Sequence, residues 1–235
     1  MMAAHMGKNP LYLPLALPFF ILLFLFLILL FPLIIGGAFS RFFSPQMAML
    51  LLFLSLFGSM VNVPLRTVYT RGEVLTTKIH SFYGFLYPEI TREFRTRKTI
   101  IAINLGGALV PIAISTYLII CFSPALSWRF AVGIALVSAV CFKLARSVPN
   151  VGIAMPGFIP PLLAALVAIL LTRNMGPSIL TPALAYVSGV LGVLIGADLL
   201  HLGEITKYGS RMLSIGGAGT FDGIFLTGII SALLV

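Results

Sequence analysis

Acid is nearly absent from this sequence. Six of its 235 residues are aspartate or glutamate, fifteen are lysine or arginine, and charged residues make up 9% of the chain. A soluble domain carries about 25%, so an ordinary water-covered surface is excluded. Cysteine is as scarce. Cys121 and Cys141 each lie in an apolar run, and no CxxC is present. That excludes a disulfide framework and a cysteine zinc ribbon, and reads as two buried thiols. HExxH is missing too, so the commonest helical zinc hydrolase pattern is out.

What is there is apolar. Hydrophobic residues account for 60% of the chain, and mean hydropathy is +1.11. Residues 11–35 carry no charge, and about 20 such residues cross a bilayer core of ~30 Å as a helix. The run is too long for a cleaved signal peptide. The expected fold class is an all-α polytopic membrane protein. About seven transmembrane helices are expected, near 11–35, 46–65, 99–122, 130–146, 152–172, 178–200 and 213–235. Pro156, Pro160 and Pro161 break the fifth, which should therefore be buried in protein or line a wet cavity.

Residues 1–10 form a tail in which Met1-Met2-Ala3-Ala4-His5-Met6 resembles a cloning scar, and 11–235 are expected to form a single membrane domain. Its polar loop, 66–98, holds Arg66, Arg71, Lys78, Arg92, Arg95, Arg97 and Lys98. Threonine-rich, β-branched stretches flank Arg71-Gly72-Glu73 and suggest a hairpin turning there. Pro88 to Lys98 reads as helical. Alternate sides of the seven spans hold twelve basic residues against three. Positive charge favours the cytoplasmic side, so the N-terminus is expected inside and the C-terminus outside. The excess is expected to meet anionic lipid and not nucleic acid.

The only two aspartates, Asp198 and Asp222, fall on the sixth and seventh spans. A carboxylate at membrane depth costs a few kcal/mol even on mild scales, about 2.5–3.5, and is a functional hypothesis by default. Consecutive spans are antiparallel neighbours, so the two can face each other on the inner half of the membrane. Asn62, Asn104 and Asn150 fall at a similar depth and suggest a polar pocket. Two close carboxyls share a proton, so one can activate a water while the other protonates a carbonyl. Neither metal nor cofactor is then needed. Gly216, Gly217 and Gly219 would let a substrate backbone approach. Three alternatives remain: a proton- or cation-coupled transporter, separate structural pairing of each aspartate, and a metal at Asp198, His201 and Glu204.

Gly217-Ala218-Gly219 followed by Asp222-Gly223-Ile224-Phe225 is similar to the second motif of the GxGD membrane aspartyl proteases, the presenilin, signal peptide peptidase and prepilin peptidase group. Asp198 matches their first aspartate. Here Thr220-Phe221 separate the second glycine from the aspartate, and Ala197 stands where presenilin-type members have an aromatic. The resemblance covers about residues 190–232. It implies an intramembrane aspartyl protease with Asp198 and Asp222 catalytic. Gly217, Gly219 and Gly223 beside the second aspartate, and Asn62 and Asn104 from the shared polar depth, are expected around the substrate. The partners would be the lipid bilayer and a membrane-embedded peptide; an oligomer is compatible with it. The whole chain also resembles the DUF1614 type of membrane protein, through Gly58-Ser59-Met60-Val61-Asn62-Val63-Pro64-Leu65 and the stretch from Gly216 to Gly228.

Overall fold

The computed structural model describes residues 25, 32–82, 85–148, 152–175, 178–205, 212–217 and 222–235; for 71–82, 85–97 and 205 it describes the backbone alone. Two compact units divide the chain, Met1–Leu52 and Phe53–Val235. In the first, helix α1 covers 32–39, and Ile35, Ala38 and Phe39 are buried. Helix α2, Pro45–Gly58, begins in the first unit and ends in the second. Most of the expected first span, and Asn150, lie outside the described residues.

The second unit combines a sheet with a helical bundle. Strands β1 (Asn62–Phe82) and β2 (Phe85–Asn104) form an antiparallel hairpin. Its register slips between Pro64 and Arg66, where proline cannot donate to the ladder. The hairpin expected in the polar loop is present, but it is longer and turns elsewhere. Gly72 pairs with Arg95 in mid-strand, and the strand ends meet at Phe82 and Phe85. Pro88–Lys98 is strand and not helix, its backbone paired with β1 as far as Lys98–Tyr69.

Helix α3, Val110–Leu144, follows a π-helical turn over Leu105–Leu109. The short strands β3 (Arg146–Val148) and β4 (Gly152–Ala154) pair with each other, and α4 is Ile159–Thr172. Helix α5, Leu180–Val193, runs into a second π-helical turn, Leu194–Leu199, and then the single turn α6, Leu202–Ile205. Strand β5, Met212–Ile215, adds parallel to β2, giving the order β1-β2-β5. Helix α7 is Gly223–Leu233.

The all-α, seven-span expectation therefore needs correcting. Among the described residues there are five strands, and two helices are long and apolar enough to cross a membrane: Leu105–Leu144, of 40 residues, and Leu180–Glu204, of 25. The third and fourth expected spans are one helix, with Pro124 inside it. The fifth is helical only from Ile159, since 152–154 are strand β4 and Pro156 falls in the non-helical stretch before α4. Pro160 and Pro161 sit in the first turn of α4, where a missing N–H costs nothing. The seventh begins ten residues late, because 213–215 are strand and Asp222 caps the helix.

A straight α3 is excluded by its own contacts. Near its head, Ala108 packs on Gly216, and the Gly216 N–H faces Asp198. About thirty residues on, Ser138 packs on Gly196, two positions from that same aspartate. Thirty residues of straight helix would span about 45 Å. Between them, Arg129 reaches the far end of the bundle, donating Nε–H to the Leu171 carbonyl at 2.9 Å. The helix thus turns back near Pro124, where the i→i−4 ladder loses a donor. Each leg is then on the order of 30 Å long, close to the hydrocarbon thickness.

Helix α5 lies at the centre. Every residue from Pro182 to Val190 is buried, and the helix packs against α3, α4 and α7. Gly189 admits Thr227 and Ser231, and the Ser231 hydroxyl donates to the Ala185 carbonyl at 3.0 Å. The outward faces stay apolar: Ile120 is 70% exposed and Leu170 is 61%. Helices apolar on all sides belong in a large core or a bilayer.

Candidate functional site

Asp198 comes from the second π-helical turn. The Leu200 N–H bonds to the Ile195 carbonyl at 3.1 Å, one residue further back than in an α-helix. Inside the turn, Gly196 sits against the Ser138 backbone, and any Cβ there would overlap the Ser138 carbonyl. The wider turn sets Asp198, half-buried, against a cavity of about 350 Å³.

Asp222 reaches the same cavity from the head of α7. It is the cap residue, extended in backbone, with Oδ1 accepting the Ile224 N–H at 3.0 Å. Such a cap satisfies a helix-end donor that would otherwise be orphaned. Asp222 is close enough to Asp198 for the two charges to repel, and the Gly216 N–H faces Asp198 from the turn after β5. Gly216 holds φ at +69° and abuts Gly107 and Ala108. Glycine adopts that left-handed backbone without the penalty a side chain brings.

The other walls are apolar. Val193 and Ala197 come from α5 and its π turn, and Leu226, Thr227 and Ile230 line two turns of α7. Ile153, Met155, Gly157 and Phe158 close the side next to α4. Among the described residues, no lysine, arginine or histidine is in the lining. The volume lies within the range of small-ligand pockets. A roomier hollow of about 420 Å³, lined by Thr172, Arg173, Ser178 and Thr181, sits at the α4–α5 connection and holds no carboxylate pair.

The expected site residues thus divide. Asp198, Asp222 and Gly223 line one cavity. Gly217 is exposed in the turn after β5, and Gly219 lies outside the described residues. Asn62 and Asn104 meet each other away from the cavity lining. The Asn104 amide donates to the Ser59 carbonyl at 2.8 Å and to Asn62 Oδ1 at 3.1 Å. Its own Oδ1 accepts the Gly107 N–H at 2.8 Å. Asn62 Oδ1 also accepts the Ser214 hydroxyl. This knot ties β1, β2, β5 and the first π turn together. Neither asparagine stands at the depth in a helix expected of it: Asn62 opens β1 and Asn104 closes β2.

His201 and Glu204 do not converge with Asp198. The His201 Nδ1 lies 2.9 Å from the Ala197 carbonyl, and Glu204 accepts the Ser147 hydroxyl at 3.0 Å. Among the described residues no group of three or more His, Cys, Asp or Glu is placed to hold a metal ion. Sequence reasoning passed over Ser214 and the Gly216 N–H. The Met155–Phe158 wall falls in the proline-broken segment that was expected to be buried or to line a wet cavity, and it does line one.

A search of curated proteins and of solved structures finds no match. One family model matches, over residues 56–234, and its description is a protein of unknown function, DUF1614. Those residues take in the hairpin, the bundle and both aspartates, and the chain belongs to the DUF1614 family.

Proposed function

We propose that this protein is a membrane-embedded aspartyl hydrolase that cuts peptide bonds of membrane-inserted segments, with Asp198 and Asp222 as its acid and base. One observation carries the reading: the only two aspartates, from separate elements, line the same apolar cavity. In the reaction one carboxylate takes a proton from water as it attacks the scissile carbonyl. The other, protonated, donates to the carbonyl oxygen, and later a proton reaches the leaving amine. The Gly216 N–H helps to hold Asp198 in place, and the walls of Val193, Leu226 and Ile230 suit an uncharged, apolar side chain beside the scissile bond.

The membrane arrangement belongs to the same proposal. The two legs of α3, with α4, α5 and α7, cross or enter the bilayer. The cavity is level with the end of α3 that carries Lys143, next to Arg146 at the start of β3, since Ser138 meets Gly196 and Phe142 meets His201. Positive charge favours the cytoplasmic face, so the acid pair faces the cytoplasm. Trp128 and Arg129, stacked at 4.8 Å, mark the opposite interface.

A second reading is ion binding. Among the described residues the lining carries two carboxyls set in apolar walls, which suits a proton or a small cation. Reconstitution in liposomes separates the two. A transmembrane peptide carrying a fluorogenic pair should be cut by the wild type and not by Asp198→Asn or Asp222→Asn. Intact peptide together with aspartate-dependent flux of protons or sodium would replace the hydrolase with the ion carrier.

A further inference from the structure

The second π turn ends where its carbonyls lack the N–H groups of a following turn, the usual position of orphaned acceptors. His201 supplies a donor there. Its Nδ1 is 2.9 Å from the Ala197 carbonyl and 3.2 Å from the Gly196 carbonyl. Both partners are acceptors, so Nδ1 carries the proton and Nε2 does not need to. The residue is only 6% exposed, and Phe142 of α3 lies against its ring at 5.0 Å between centroids. Gly196, at the other end of the same stretch, is pressed against Ser138 of α3.

These contacts close residues 196–201 into a ring, shut by an imidazole and pinned at both ends to one leg of α3. Asp198 lies inside that ring. Its backbone is held on both sides, by the Gly196–Ser138 contact and by the His201 bond to the Ala197 carbonyl.

We propose that His201 is the positioning residue of Asp198: through its Nδ1–H it locks the π turn in the form that aims the carboxylate at Asp222. Hydrolysis, ion binding and any other use of the pair need this aim equally, so the inference does not rest on the hydrolase reading. The donor must sit at the Nδ1 position. An asparagine amide reaches nearly the same point, a glutamine amide projects to where Nε2 lies, and leucine offers no donor.

The test reads geometry and not activity. In full-length protein with Cys121→Ala and Cys141→Ala, Asp198→Cys and Asp222→Cys are bridged with a short thiol-to-thiol reagent in nanodiscs. A second pair, Thr172→Cys with Thr181→Cys, reports the fold at the far end, where the two native hydroxyls are 2.8 Å apart. Adding His201→Leu should slow the 198–222 bridge at least about fivefold and leave the 172–181 bridge unchanged. Adding His201→Asn should keep the 198–222 rate within about twofold, while His201→Gln should slow it. Bridging at the parent rate in His201→Leu overturns the proposal. If His201→Leu loses both bridges by unfolding, the asparagine–glutamine comparison decides, and equal rates in those two overturn it.

Discussion

The amide knot and the aspartate cavity lie on opposite sides of Gly216, and both gather polar groups in an apolar chain. In the knot, Asn104 is fully buried and its amide donates twice and accepts once. Its partners are the backbone and a second asparagine. In the cavity, two carboxyls of like charge face about 350 Å³ lined by Val193, Leu226 and Ile230. Buried polar groups that satisfy one another stabilise a fold, whereas like charges brought together cost stability and persist when function needs them. Seen together, the two regions separate what holds this protein from what it is held for.

Substitutions at the aspartates put that comparison under the heaviest load. Asp198→Asn and Asp222→Asn should each lower peptide cleavage by about 10²–10⁴-fold, the scale of a lost acid or base. Thermal unfolding in detergent should move little or upward, since a repelling charge is removed. A variant that unfolds instead would make the aspartates part of the scaffold, like the knot.

Gly196→Val should come next. Its side chain would overlap the Ser138 carbonyl, and relieving such overpacking costs about 1–3 kcal/mol, occasionally more. Since the clash also displaces the π turn, cleavage should fall further than stability does, which kinetics and unfolding on one preparation would separate.

Asn104→Ala reverses the pattern. It strips three hydrogen bonds and orphans the Gly107 N–H, a loss of about 1–3 kcal/mol. Cleavage per folded molecule should stay near wild type. A fall as deep as that of the aspartate variants would move Asn104 into the active site.

Ile230→Trp should fill the deep end of the cavity. Cleavage of peptides with large apolar residues should drop more than that of alanine-rich ones, as a competition assay would show. Ser214→Ala is the mildest, removing one hydroxyl bond to Asn62 for about 1 kcal/mol, and should show only as a small downward shift in unfolding temperature.

Much of the site was legible because the carboxylates are so few. Asp198 and Asp222 stand out in any apolar sequence, and the antiparallel pairing of neighbouring helices brings them together. Gly223 followed from its place next to Asp222. The hairpin was legible in its threonines and β-branched residues, but its turn was not. Gly72 suits a turn locally, yet cross-strand pairing with Arg95 overrides it. The break expected between the third and fourth spans is absent from the backbone, where helix α3 runs through Pro124. Asn62 and Asn104 were rightly grouped as polar residues near one level, and wrongly placed in helices. Two strands carry them, and the sequence around them is as apolar as a span.

The sequence by itself determined that this chain is built of long apolar segments, that its basic residues outnumber its acidic ones fifteen to six, and that its only two aspartates fall in apolar surroundings. Composition suffices for those conclusions because the cost of burying charge applies whatever the fold. Only the tertiary structure decided that Asp222 begins its helix, that Asp198 sits on a π turn shut by His201, and that the asparagines belong to a separate knot. Each depends on contacts between residues far apart in the chain, Gly196 with Ser138 or Asn62 with Ser214, and local pattern carries no trace of such partners.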